Sequence, residues 1–289
     1  LEIRLEIFGE AHEDVASSYN GMGNAYKFQS QPEKAIEMFE KSLKIQQKLF
    51  GEEHAGVATC YNNIGTIYDT LQDYDKALQY LKMALEIRLK ILAPDHPDIQ
   101  ASYYNLGKLY IHQEMGKDAL ECFTGCLDLR NQIGKEDQYT GAIYHKIGQA
   151  NIFLKQYDKA LNYFEKGLNF RLSRQDEKLG NIAASYFSVG LHHLYSNLEK
   201  ARHYINCSRL LYEKLNDQNE LNKIQNILNG RLKTAQENAS KPSKYLSELE
   251  KLAAGNELKT EIDPLETIGK AHFNIGMNEL KKRINVQKG

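Results

Sequence analysis

Tryptophan is missing from this sequence, and proline occurs only five times in 289 residues. Proline breaks helix interiors, so its scarcity leaves room for long uninterrupted helices, which the abundant Leu, Glu, Lys, Gln and Ala favour. Without tryptophan, the 18 tyrosines carry most of the aromatic packing. Net charge is nearly absent: 37 Lys and Arg against 38 Asp and Glu leave −1. There is no basic excess for nucleic acid and no acidic block for a disordered tail. No apolar run approaches the roughly 18 residues of a membrane span, and no signal-peptide pattern stands at the start. Neither a nucleic-acid nor a membrane partner is expected, and the expected location is cytoplasmic. The four cysteines, Cys60, Cys122, Cys126 and Cys207, show no CxxC pair and no Cys/His zinc spacing. They read as reduced thiols of a cytoplasmic protein.

Catalytic motifs are lacking as well. No GxSxG, HExxH or Walker sequence occurs. Gly21-Met22-Gly23-Asn24-Ala25-Tyr26 begins like a dinucleotide fingerprint, but Tyr26 stands where a third glycine belongs and no strand precedes it. The chain is therefore not expected to be an enzyme, nor to need a cofactor or a metal.

What is present is a period. Gly23, Gly65, Gly107, Gly148 and Gly190 are separated by 42, 42, 41 and 42 residues. Four residues before each stands a tyrosine: Tyr19, Tyr61, Tyr103, Tyr144 and Tyr186. One before stands an aliphatic residue, and three after stands Tyr26, Tyr68 or Tyr110, decaying to Asn151 and His193. These offsets share one helix face. Glycine costs a helix interior about 1 kcal/mol relative to alanine, so its recurrence points to a second helix approaching too closely for a side chain. Ala35, Ala77, Ala119, Ala160 and Ala201 follow, then Phe39, Leu81, Phe123, Phe164 and Ile205, then the small Ser42, Ala84, Cys126, Gly167 and Ser208. This is a second amphipathic helix with a small-residue stripe. Turn-like stretches such as Gln29-Ser30-Gln31-Pro32 separate the two. Each unit is thus an αα-hairpin that cannot bury its apolar face alone, so the hairpins must stack.

The aromatic residue, the aliphatic-Gly pair, the tyrosine, the alanine, the second aromatic and the small residue resemble the tetratricopeptide repeat. The longer period, with Tyr61-Asn62-Asn63-Ile64-Gly65 and Phe50-Gly51-Glu52-Glu53-His54, looks like the kinesin light chain subtype. The resemblance implies an all-α superhelix of hairpins, a TPR solenoid, with a concave inner groove. In this reading residues 1–10 end a preceding repeat's second helix, and 11–215 form five hairpins. Residues 216–258 are a degenerate sixth hairpin, and 259–289 a final helix, either a partial seventh repeat or a cap. Gly230 keeps rough step, and Phe273-Asn274-Ile275-Gly276 echoes a first helix. The start, Leu1-Glu2-Ile3-Arg4-Leu5, copies Leu85-Glu86-Ile87-Arg88-Leu89 and reads as an excerpt of a longer array.

Two further series carry possible chemistry. His12, His54 and His96 recur in the inter-repeat loops. Zinc wants three or four converging ligands, so one histidine per repeat reads as loop packing or hydrogen bonding at a helix start. Arg4, Arg88, Arg130 and Arg171 share one second-helix position, interrupted by Gln46. They could form a cationic stripe, or pair with nearby acids and lie over apolar surface.

The resemblance places contact residues on the first helix. Three before the glycine come Asn20, Asn62, Tyr104, His145 and Phe187, and one after come Asn24, Thr66, Lys108, Gln149 and Leu191. Four and five after come Lys27 and Phe28, Asp69 and Thr70, Ile111 and His112, Ile152 and Phe153, and Leu194 and Tyr195. The expected peptide-binding groove is Asn20, Asn24, Asn62, Thr66, Tyr104, Lys108, His145, Gln149, Phe153, Phe187, Leu191 and Tyr195. Asparagine offers donor and acceptor together, so Asn20, Asn24 and Asn62 suit the backbone of an extended peptide. Phe153, Phe187, Leu191 and Tyr195 suit an apolar anchor, unless the chain's own C-terminal helix covers them. Asn63 and Asn105 read as structural. Chaperone-type repeats grip a terminal carboxylate with Lys and Asn at the first repeat's three-before and one-after sites; Asn20 and Asn24 stand there, which speaks against that clamp. The expected function is a scaffold or adaptor binding a protein or peptide. The alternative is a regulatory or self-associating segment of a larger enzyme or sensor, with self-association through the C-terminal repeats.

Overall fold

The computed structural model describes residues 1–132, 134, 138–174, 176–194, 197–238 and 244–254. Among them every regular element is an α-helix: α1 (Glu2–Phe8), α2 (Glu13–Phe28), α3 (Pro32–Phe50), α4 (Ala55–Thr70), α5 (Tyr74–Ile91), α6 (Pro97–His112), α7 (Gly116–Gln132), α8 (Gln138–Phe153), α9 (Tyr157–Ser173), α10 (Leu179–His193), α11 (Leu198–Lys214), α12 (Gln218–Asn238) and α13 (Lys244–Ala254). The chain divides into two compact units. One holds residues 1–136 with 149–155; the other holds 137–148 and the described residues from 156 onward. The fold is the expected all-α stack of hairpins. None of the described helices is long and apolar enough to cross a membrane.

In the first unit α2/α3, α4/α5 and α6/α7 are the hairpins. Their recurrent glycines mark the closest helix approaches. A Cβ added at Gly23 would stand 2.7 Å from the Phe39 ring, at Gly65 2.8 Å from Leu81 Cγ, and at Gly107 2.7 Å from the Phe123 ring. Ala35, Ala77 and Ala119 are fully buried across the same interfaces. Burial of Phe39, Leu81 and Phe123 at 1% exposure or less supplies the apolar driving force.

The turn inside each of these hairpins is closed by a residue in left-handed conformation. Ser30, Gln72 and Glu114 have φ of 57°, 62° and 58°. The next residue's N–H then reaches back to a carbonyl near the helix end: Gln31 to Tyr26 (2.9 Å), Asp73 to Tyr68 (3.0 Å) and Met115 to Tyr110 (2.8 Å). These bonds satisfy carbonyls that the helix terminus leaves open.

The histidine series caps helices. Nδ1 of His12, His54 and His96 accepts the backbone N–H two residues on, from Asp14 (3.1 Å), Gly56 (3.2 Å) and Asp98 (3.1 Å). Phe8 stacks on His12 and Phe50 on His54, with ring centroids 4.2 and 4.3 Å apart. Each cap satisfies one of the N–H groups a helix start exposes.

The arginines of the series bond carbonyl and hydroxyl oxygens within the array. Arg88 donates from Nη1 to the Asp98 carbonyl (3.1 Å) and to Ser102 Oγ (2.7 Å). Arg4 does the same to Asp14 and Ser18, at 2.9 and 2.7 Å. Arg130 instead donates to Gln100 Oε1 at 3.1 Å. The Arg4 and Arg88 struts tie a second helix to the first helix of the next hairpin, whereas the Arg130 bond closes its own hairpin from α7 to α6. Burial lowers the Arg88 pKa, opposed by Asp98, yet an arginine stays charged.

In the second unit Gly148 meets the Phe164 ring and Gly190 meets Ile205 Cγ1, each 2.7 Å from an added Cβ. Ala160 and Ala201 are fully buried. Arg171 repeats the strut, bonding the Asn181 carbonyl at 3.1 Å and the Ser185 hydroxyl. Beyond α11 the repeat geometry changes. α12 runs 21 residues, and Gly230, in rough step by sequence, is exposed with nothing within 4 Å of an added Cβ. α13 packs on α12 and α11. The expected final helix at 259–289 lies outside the described residues.

Candidate functional site

The first unit carries eight of the expected contact residues. Asn20 and Asn24 are on α2, Asn62 and Thr66 on α4, Tyr104 and Lys108 on α6, Gln149 and Phe153 near the end of α8. All are half-buried except Phe153, which is 37% exposed.

Two asparagine pairs organise this face. Asn63 Nδ2 donates to Asn20 Oδ1 at 3.0 Å, and Asn105 Nδ2 donates to Asn62 Oδ1 at 2.9 Å. Each bridge spans two consecutive first helices. The side-chain oxygens of Asn20 and Asn62 are thereby engaged, which fixes the direction of their amide nitrogens. Asn63 and Asn105 thus hold the residues expected to make contacts, consistent with their structural reading.

Thr66 joins a third bridge. Lys27 Nζ on α2 donates to Thr66 Oγ1 at 2.9 Å, and Thr66 passes its own hydrogen to the Asn63 carbonyl at 2.8 Å. Burial pushes the Lys27 ammonium below its ordinary pKa, and the Lys108 ammonium on α6 pushes it further. Beyond Lys27, Phe28 is 90% exposed. Asp69 and His112 pair at 2.7 Å across α4 and α6, with Asp69 only 10% exposed. Lys27 and Phe28 stood in the sequence series but outside the expected groove. Their signal was an aromatic and a cation adjacent at the end of a first helix.

In the second unit His145, Phe187 and Leu191 are half-buried, and Tyr195 lies outside the described residues. His145 faces the Phe164 ring at 5.0 Å, and His192 faces the same ring at 4.6 Å. Burial pushes His145 down to about 3, helped by the charges of Arg171, Lys146 and His192. The imidazole is therefore neutral near pH 7 and packs as an aromatic. Burial also lowers His192, His193 and His203. Stacking of His193 on Tyr204 is close to parallel, with centroids 5.6 Å apart.

The four cysteines are buried and unlinked. Burial raises Cys122 and Cys207 to about 12, which keeps them as unreactive thiols. Among the described residues no group of three or more His, Cys, Asp or Glu could hold a metal ion.

Comparison with known proteins agrees with this architecture. The tetratricopeptide repeat profile matches residues 1–48, 14–90 and 98–173. The chain belongs to the tetratricopeptide repeat family. Repeats of this family are in general protein-interaction scaffolds. No match is found among curated proteins. Among solved structures the chain is similar to a putative kinesin light chain of Podosopora anserina with nearly identical TPR-like repeats. The two are 18% identical, the match covers 71% of this chain and 98% of that one, and the TM-score is 0.62. It is similar to the apo form of RapI, at 18% identity over 88% of this chain and 66% of that one, TM-score 0.65. It is also similar to a STAND signal-transduction ATPase with a tetratricopeptide repeat sensor from Pyrococcus horikoshii. There identity is 19%, coverage 93% of this chain and 38% of that one, and the TM-score 0.59. At these identities the likeness is one of fold.

Proposed function

We propose that this chain is a scaffold or adaptor segment whose first-helix residues take an extended peptide of a partner protein. The observation that carries the reading is the pair of asparagine bridges. Asn20 and Asn62 sit half-exposed with their oxygens tied to the next repeat. Their amide nitrogens are left oriented to bond a peptide carbonyl with little ordering cost. Asn24, Thr66, Tyr104, Lys108 and Gln149 extend the polar face of the first unit, with Phe153 as an apolar contact. In the second unit Phe187, Leu191 and the neutral His145 supply apolar contact. Affinity then comes from many modest contacts and a few anchors.

The test is capture of partners by the intact array beside a variant carrying Asn62→Ala and Phe187→Ala, with mass spectrometry and then a titration of the recovered partner. Loss of affinity by about tenfold, about 1.4 kcal/mol, with an unchanged circular-dichroism melt supports the reading. Equal affinity overturns it. A second reading, a sensing or regulatory segment of a larger protein, draws on the fold shared with the repeat sensor of the STAND ATPase. A neighbouring catalytic domain in the full-length gene, or concentration-dependent dimers in light scattering, favours that reading.

A further inference from the structure

The second helices of the first unit carry a cavity that the peptide reading does not use. It holds about 450 Å³ and lies between α3 and α5, both of which pack on α4. Leu43 and Gln47 of α3, Tyr61 of α4, and Tyr80 and Met83 of α5 line it, with the exposed Glu40 of α3 also on its wall. That size suits a small ligand. The Tyr61 and Tyr80 rings stand 5.9 Å apart at 43°. Gln47 Nε2 donates to the Tyr61 hydroxyl at 3.2 Å and to Glu52 at 2.9 Å, which spends both of its N–H groups and holds the Tyr61 ring in place.

Other hairpins show what such rings accept. Lys41, two residues after Phe39, holds its ammonium 5.7 Å from the centre of the Tyr19 ring. Lys166, two residues after Phe164, holds its own 5.0 Å from the centre of the Tyr163 ring. In the α4/α5 hairpin the position two residues after Leu81 is Met83, while Tyr61 and Tyr80 stand where Tyr19 and Tyr163 stand in theirs. The acid that pairs with Lys41 at 2.7 Å, Glu37, is replaced there by Gln79. This hairpin therefore keeps the rings but loses the array's own cation, and the cavity opens at that place. Glu40 of the preceding hairpin supplies a carboxylate, and among the described residues no hydrogen bond or ion pair engages it.

We propose that this cavity binds an alkylammonium group, with its carbon chain against Leu43 and Met83 and its charge between the tyrosine rings and Glu40. An aromatic face attracts a cation within about 6 Å of its centre, and the unbranched methionine adapts to the shape of an alkyl chain. The site is independent of the first-helix groove, because its walls are second helices. Lys44, exposed and one turn along α3 from Glu40, also borders the cavity and forms no ion pair with it among the described residues. Its charge opposes a guest cation, so its removal strengthens binding, the reverse of what an anion site would show.

The experiment labels the methionine methyl groups of the full chain with carbon-13 and follows them by NMR as n-pentylammonium chloride is added. The Met83 signal, assigned by its loss in Met83→Leu, is expected to shift and saturate while the other four methionine methyls stay in place. The neutral n-pentanol should bind about threefold to tenfold more weakly, and Tyr80→Leu should weaken pentylammonium by a similar factor. Glu40→Gln should weaken it about twofold to fivefold, and Lys44→Gln should strengthen it about twofold. Melting curves matching the parent's certify the fold of each variant. Nα-acetyl-lysine methylamide separates two sources of the group. Tighter binding than pentylammonium assigns the site to a lysine side chain of a protein, weaker binding assigns it to a free amine, and both support the site. Three results overturn it: pentanol binding as tightly as pentylammonium, Glu40→Gln leaving the affinity unchanged, or Lys44→Gln lowering it.

Discussion

Gly107→Ala and Gly125→Ala are one chemical change made in two helices of the same unit, and the packing gives them opposite signs. Alanine is preferred over glycine in a helix interior by about 1 kcal/mol, so both variants gain that amount. At Gly125, in α7, an added Cβ meets nothing within 4 Å, so the gain stands. At Gly107 the Cβ falls 2.7 Å from Phe123 Cζ, 2.8 Å from Cε1 and 3.0 Å from Cε2. Ordinary carbon contacts begin near 3.5 Å, so the ring must retreat by about 0.8 Å. Phe123 is fully buried and has the Tyr104 ring at 5.7 Å on one side, so it cannot swing into solvent. Overpacking of this kind costs about 1–3 kcal/mol. The propensity gain is common to both variants, so the difference between them isolates the clash: about 1–3 kcal/mol, with Gly125→Ala above the parent and Gly107→Ala at or below it. Urea midpoints by circular dichroism at matched slopes read this directly. Array proteins depart from two-state unfolding, so the ranking of midpoints is the safe observable. If Gly107→Ala proved as stabilising as Gly125→Ala, the helices would not nest at that glycine, and the hairpin geometry would be wrong.

Two other outcomes follow from the interior. Arg88→Lys removes the guanidinium that bonds the Asp98 carbonyl and Ser102 in a buried site, and is expected to cost about 2 kcal/mol. The same change at the exposed Arg4 is expected to cost under about 0.5 kcal/mol, and melting curves of the two variants test the contrast. Acidification should weaken the second unit. His145 is held down to about 3 in the folded state, against about 6.5 when unfolded. Below 6.5 the unfolded chain takes up a proton that the folded chain refuses. Stability is therefore complete above that pH and is lost progressively toward pH 3, by about 2 kcal/mol from this residue at pH 5. Urea midpoints at pH 7 and pH 5 should differ less in His145→Gln than in the parent, and an equal drop would contradict the assignment.

The hairpins were legible in the sequence because close nesting tolerates one residue size at one position. That constraint writes Gly23, Gly65, Gly107, Gly148 and Gly190 in register, with a buried partner sixteen residues on in four cases and fifteen in the last, at Ile205. The arginine struts were half legible. Arg4, Arg88 and Arg171 each have a serine fourteen residues later, and where Gln46 replaces the arginine, Cys60 replaces the serine. That pairing stands in the sequence, but a buried guanidinium is satisfied by a carbonyl and a hydroxyl, so no acid marks it. Past α11 the glycine register ceases to inform: Gly230 keeps rough step in sequence, but among the described residues nothing lies within 4 Å of an added Cβ there.

The claim that the first helices, and not the second, hold the partner is tested most directly by photo-crosslinking. A benzoylphenylalanine is placed at Thr70 on α4 in one protein and at Lys82 on α5 in another, both exposed positions, and each is irradiated with the captured partner at saturation. The account predicts a crosslinked product from position 70 and none from position 82. A product from position 82 alone would contradict it.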